Sequence, residues 1–316
     1  MLVIDKQQVE QSLDFPSLID ALESGFSGQF SMPTRQVFEL IPGDAAHNAF
    51  AVLPAWNEEV IGVKSFTYFP QNAAAGYESL YSKIMLFDRK HGVPLALVDG
   101  TTVTYWRTAA VSALASKYLS KENSQTLLFF GAGNLAQFMI AAHLSVRPLT
   151  KVMIAARNQI KAEALITQLH ATYPHITFGL CDNVQLAVAE ADIISCATGA
   201  KEPLFDGRWL KAGVHIDLIG NHHKEYRECD TKTIVRSSVY VDSMANVMNE
   251  AGELLLPIAE GVITESHIQA QLADLCASKQ YARRGEDDIT LFKSVGTALS
   301  DLIAAHTVYK KEIAAQ

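Results

Sequence analysis

Cysteine is scarce in this 316-residue chain, and Cys181, Cys196, Cys229 and Cys276 are dispersed without the paired spacing of a metal site. They read as reduced structural thiols of a cytoplasmic protein. No apolar run is long enough to span a membrane, and MLVIDKQQVEQSLDF turns polar too quickly for a secretion signal. Basic charge is also short, with 26 Lys and Arg against 34 Asp and Glu and a net charge of −8. That balance gives no support to a nucleic-acid-binding surface, although it leaves room for a local basic pocket that takes a small anion. Low-complexity tracts and solenoid-type repeats are missing too. What remains is a globular chain, 49% hydrophobic and 19% charged, longer than one parallel sheet needs, so two domains are expected.

The stretch from Thr126 to Asn158, TLLFFGAGNLAQFMIAAHLSVRPLTKVMIAARN, contains strand, glycine turn, helix and strand in the order a dinucleotide-binding unit requires. Thr126 to Phe130 suits a buried parallel strand, and Gly131-Ala132-Gly133-Asn134-Leu135-Ala136 follows it as the turn into a helix. Alanine stands at the third glycine position, which the fingerprint tolerates. A helix starting there points free amide groups and the positive end of its dipole at a pyrophosphate. The second strand, Lys151 to Ala156, lacks the acid that accepts hydrogen bonds from a ribose in NAD sites. Arg157 stands there instead, suited to the 2′-phosphate of NADP, with Asn158 and Lys161 as neighbouring polar candidates. NADPH is therefore the expected cofactor, with NADH as the alternative. Later strands at Ile193 to Cys196 and Gly213 to Gly220 end in Thr198 and Gly220, where ligands of such a sheet sit. His215 and Asp217 are read either as site residues or as partners of buried backbone.

Before the glycines, Asp14 caps a helix to about Phe26, and the segments 36–41, 49–54, 60–66, 82–87 and 95–98 look extended. A helix from Trp106 to Leu119 leads to a boundary near residue 120. The expected organisation is a mixed α+β substrate and dimerisation domain (1–120), a Rossmann-type nucleotide-binding domain (121–296) and a C-terminal helix returning to the first domain (297–316), an α/β chain overall. Arg35, Lys64 and Arg107 are each ordinary surface residues taken singly; brought together by the fold, they would hold a small carboxylate, arginine by its fork and lysine by its compact charge.

The segments GVKSFTYFPQN, LFDRKHGVPLALVDG, TVTYWRTAAVSALA, GAGNLA, ADIISCATGAKEPLFDG, EAGELLLPIAEG and ITLFKSVGTALSDL resemble, in order and over nearly the whole chain, the ornithine cyclodeaminase and mu-crystallin family. The resemblance implies that Arg35, Lys64 and Arg107 bind an amino- or imino-acid carboxylate. It also implies that Lys293-Ser294-Val295-Gly296 lies near the nicotinamide and that the protein is a homodimer; Thr108 completes the candidate cofactor set. In the cyclodeaminases an aspartate handles the substrate amino group at the position matched here by His222. A neutral imidazole does this less well and an imidazolium opposes it. The Gly220-Asn221-His222-His223 loop resembles instead the reductases of cyclic ketimines, which implies reduction of Δ1-pyrroline-2-carboxylate, or Δ1-piperideine-2-carboxylate, to proline or pipecolate. His222 and His223 are then candidates for influencing the proton through water. Ornithine cyclodeaminase, an amino-acid dehydrogenase and a nonenzymatic ligand-binding protein of the mu-crystallin type are the alternatives. No metal is expected, because the two histidines lack further ligands.

Overall fold

A computed structural model of the chain describes residues 1–43, 48–280 and 282–315. The chain divides into two compact units, Met1–Thr108 with Thr297–Gln316, and Ala109–Gly296. The first division falls inside the helix Gly100–Leu119, ahead of the boundary expected near residue 120.

In the first unit, strands Leu2–Ile4, Pro94–Asp99, Leu80–Asp88, Val60–Tyr68, Ala49–Asn57 and Phe30–Ser31 lie side by side in that order, and Gln36–Glu39 also pairs with Ala49–Asn57. The Leu2–Ile4 pairing is parallel and the others are antiparallel, so the sheet is mixed. Strand period buries one face: Ala49, Ala51, Leu53 and Ala55 are buried, as are Val60, Gly62 and Lys64 on the next strand. The helix Phe15–Ser27, capped by the Asp14 carboxylate accepting from Ser17 N at 2.9 Å, buries Leu18, Ile19, Leu22 and Phe26. Against it and the sheet packs the C-terminal helix Ala298–Ala314 through Leu299, Leu302, Ile303 and Val308. A short helix, Lys6–Ser12, was not expected; a capping box between Asp5 and Gln8 starts it.

The second unit is an eight-stranded, all-parallel sheet in the order Thr177–Leu180, Lys151–Ala155, Thr126–Phe130, Ile193–Cys196, His215–Leu218, Thr290–Lys293, Ser238–Val241 and Ile268–Gln271. Its central strands are buried along their length, apart from Thr126 at the start of Thr126–Phe130, as a sheet covered on both faces by helices demands. Strand order reverses between Thr126–Phe130 and Ile193–Cys196, which opens the crevice where a doubly wound sheet takes its ligand. Among the described residues no helix is long and apolar enough to cross a membrane.

Candidate active site

The first unit gathers a cluster of cations. Lys64 lies on the inward face of its strand and is 3% exposed; its Nζ donates to Thr104 Oγ1 at 2.6 Å and to Asp301 Oδ1 at 3.0 Å. Arg107, from the helix Gly100–Leu119, donates through Nε to the same Asp301 oxygen at 2.9 Å. Its terminal nitrogens make no other hydrogen bond or ion pair among the described residues. Arg35, half-buried ahead of Gln36–Glu39, is near enough for its charge to act on Lys64. Burial, opposed by Asp301 and reinforced by Arg107 and Arg35, brings the Lys64 ammonium down to a pKa of about 8. The three basic residues singled out in the sequence thus share one neighbourhood, organised by an acid that the sequence reading passed over. Thr108, next to Arg107, is buried.

In the second unit, Gly131 ends its strand with φ +131°, and a Cβ there would stand 2.8 Å from the Ala197 carbonyl oxygen. Only glycine lets the turn pass so close to the neighbouring strand end. Gly133 and Asn134 are exposed, and the helix Ala136–Val146 begins at Leu135 without a capping side chain. This glycine turn at a helix start and switch point fits the pyrophosphate of a dinucleotide. After the next strand, Arg157 is exposed with no hydrogen bond or ion pair among the described residues. Asn158 is the N-cap of the helix Gln159–Thr172, its oxygen accepting from Lys161 N at 3.0 Å, and the Lys161 side chain is exposed.

The other candidate residues hang on buried acids. Glu228, fully buried, accepts from Thr198 N and Oγ1 at 2.8 Å each through Oε1, and from Gly220 N at 2.8 Å through Oε2. One carboxylate therefore ties together two strand-end loops. At Gly220 a Cβ would fall 2.1 Å from Thr198 O, so no larger residue fits between them. Burial raises the Glu228 pKa, with Lys293 opposing and Glu253 adding to the rise. Lys293 is fully buried, 3.2 Å from Glu253 Oε2 and donating to Asn221 O at 2.9 Å. Its ammonium is committed to holding the loop. Asn221 Nδ2 donates to the carbonyls of His223 and Tyr226 and to Glu253, while Asn221 Oδ1 accepts from His223 N. His222 and His223 are exposed on that loop, His223 against the Tyr226 ring at 5.0 Å. Asp242 Oδ2 accepts from Ser294 Oγ, Val295 N and Gly296 N at 2.7, 3.0 and 2.7 Å, fixing the last candidate turn. Among the described residues no three His, Cys, Asp or Glu side chains group as metal ligands.

Glu228, Asp242 and Asp301 carry no role in the sequence reading, where Glu253 stands only as part of a helix face. Two of them had a usable signal: Asp242 directly follows a strand, and Asp301 interrupts an otherwise apolar helical face. Deeper in the second unit, His143 Nε2 lies 3.3 Å from Asp217 Oδ2, which also accepts from Ser195 Oγ at 2.7 Å, and His215 Nδ1 lies 3.0 Å from Thr290 Oγ1. All are fully buried, so of the two readings of His215 and Asp217 the structure favours partners of the core.

The sequence model of the ornithine cyclodeaminase/mu-crystallin family matches residues 1–316. A Δ1-pyrroline-2-carboxylate reductase of Colwellia psychrerythraea is 55% identical over 313 residues, 98% of this chain and 99% of the relative. The structure of Thermococcus litoralis Δ1-pyrroline-2-carboxylate reductase in complex with NADH and L-proline superposes with a TM-score of 0.93 at 32% identity, covering 100% of this chain and 98% of that one. A probable ornithine cyclodeaminase from Bordetella pertussis superposes with a TM-score of 0.87 at 27% identity, over 100% and 98% of the two chains.

Proposed function

Because the chain belongs to the ornithine cyclodeaminase/mu-crystallin family, we propose that it reduces Δ1-pyrroline-2-carboxylate to L-proline with a nicotinamide dinucleotide, and accepts Δ1-piperideine-2-carboxylate as well. The observation that carries the reading is the cluster in which Lys64 and Arg107 share one oxygen of Asp301. Two buried cations on one carboxylate leave positive charge over, and a small anion completes the balance. In this reading Arg107 presents its terminal nitrogens to the substrate carboxylate and Lys64 adds a compact charge.

A bound nicotinamide supplies the hydride that reaches the carbon of the C=N bond. Gly131, Ala132, Gly133, Asn134, Leu135 and Ala136 would cradle its pyrophosphate, and Thr198, Gly220 and the Lys293–Gly296 turn would hold the rest of the dinucleotide. The residues around Lys293 set the loop that carries His222 and His223, which pass a proton to the ring nitrogen through water. NADPH is preferred and NADH usable: Arg157 is exposed and no acid follows the second strand to repel a 2′-phosphate. The protein works as a homodimer, for which Val37, Phe38, Phe50 and Tyr81, exposed on the first unit's strands, provide apolar surface.

The test is a purified-protein assay of NADPH and NADH oxidation with both ketimines and with pyruvate plus ammonia, with L-proline identified as product, alongside incubation with ornithine. Rapid ornithine conversion without added redox cofactor, and no ketimine reduction, sinks the proposal.

A further inference from the structure

We infer that Asp301 is the positioning residue of the carboxylate-binding cluster, fixing the Lys64 ammonium and the Arg107 guanidinium on one oxygen and keeping Lys64 in its charged, substrate-binding form. The inference rests on the proposed function and names a residue that the function does not by itself require.

The geometry carries it. Lys64, on the strand Val60–Tyr68, and Arg107, on the helix Gly100–Leu119, are joined by the C-terminal helix, whose Asp301 Oδ1 accepts from Nζ at 3.0 Å and from Nε at 2.9 Å. Like charges held so close repel unless an anion stands between them. Asp301 is 1% exposed and sits in the first turn of its helix. Thr297 caps that helix by accepting from Ser300 N, which fixes the turn that aims the carboxylate. Thr104 Oγ1 contributes a neutral acceptor to Lys64, while its own proton goes to Gly100 O at 2.6 Å.

The charged groups facing Lys64 are Asp301 from the C-terminal helix, Arg107 from the helix Gly100–Leu119 and Arg35 from the segment before Gln36–Glu39. On the flanking strands its register partners, Leu53 and Ile84, are apolar. One anion thus stands against burial and two cations. Asp301 Oδ2 is buried with no hydrogen-bond partner among the described residues, so the acid's polar bonds all pass through the oxygen that joins the two cations.

The experiment compares wild type, Asp301→Asn and Lys64→Arg by the pH profile of kcat/KM for the ketimine, with the Lys64 titration followed by NMR of ε-13C-labelled lysine. In Asp301→Asn the shape is kept and the anion is lost. Lys64 then gives up its proton about one pH unit or more earlier, and the alkaline limb moves down with it. KM rises about tenfold or more near neutral pH, kcat falls less, and most of the loss is recovered on acidification. Lys64→Arg, which keeps Asp301 and cannot lose its proton in this range, flattens the alkaline limb even if the Asn variant fails to fold. An unshifted Lys64 titration in Asp301→Asn, a pH-independent loss, or an alkaline limb that persists in Lys64→Arg overturns the inference. If the wild type reduces no ketimine, the functional reading falls, while the lysine titration still decides what Asp301 does to Lys64.

Discussion

Replacing Glu253 by Gln tests the buried charge that holds the loop of Gly220 to Tyr226. Glu253 and Lys293 are both fully buried and 3.2 Å apart, and Glu253 also accepts from Asn221 Nδ2 at 3.1 Å and Glu228 N at 3.0 Å. The substitution keeps the shape and removes the anion, leaving a buried ammonium before a neutral amide. Breaking such a pair from one side costs about 3–5 kcal/mol. Glu228 reduces that figure: Glu253 raises the Glu228 pKa, so without Glu253 it ionises more readily and offers Lys293 another counter-charge. The expected loss is therefore at the lower end, about 3 kcal/mol, or a fall in Tm of about 6–12 °C for a unit of this size. Thermal unfolding followed by circular dichroism near neutral pH measures it, with Lys293→Met and the double variant completing a cycle. The double variant should be more stable than the sum of the single losses predicts, by about 1–3 kcal/mol, because it leaves no charge unpaired. Additive single losses, or a Tm unchanged within about 2 °C for Glu253→Gln, would refute the reasoning.

Two further outcomes follow from single side chains. In Arg157→Ala the ratio of kcat/KM for NADPH to that for NADH should fall about tenfold, the loss of one charge-assisted phosphate contact; an unchanged ratio defeats the proposed NADP preference. Burial, with His143, Arg283 and Arg147 adding to it, holds the His215 pKa well below its usual value. Nε2 is buried with no acceptor among the described residues, so a proton there would go unpaired. The folded state keeps His215 neutral while the unfolded chain takes up a proton below about pH 6.5, so this contribution is full above that pH and declines as the solution is acidified. Denaturant unfolding should show wild type losing about 1.2 kcal/mol more than His215→Asn between neutral pH and about pH 5.5, and equal losses would count against it.

The parallel sheet was legible because its signals are local: a short strand with four apolar residues in a row, a glycine turn and an apolar helix stand in unbroken order from Thr126 to Val146. The helix Lys6–Ser12 was equally local, with Asp5 and Gln8 at capping-box spacing, and was missed because its polar residues were read only as evidence against a signal peptide. Lys64 and Arg107 could be chosen as residue types but not shown to meet, since their bridge, Asp301, lies 237 and 194 positions further along. Asn158 was read for its amide as a cofactor contact; the same amide caps a helix, a use that needs no ligand and is signalled by its place just before the helix.

Lys64 and Lys293 show why burial of a cation does not alone mark a binding site. Each is buried beside a carboxylate supplied by a different element, Asp301 for one and Glu253 for the other. Around Lys293 the acids Glu253 and Glu228 face one ammonium, and its carbonyl contact at Asn221 O adds a further acceptor; such a cluster has no call for an anion and holds a loop. Around Lys64 the count runs the other way, with the Arg107 guanidinium joining the ammonium on one oxygen of Asp301. An incoming carboxylate relieves repulsion at Lys64 and would create it at Lys293. Charge balance therefore supports the proposed place of the imino-acid carboxylate at Lys64 and Arg107, while Lys293 holds the loop bearing His222 and His223.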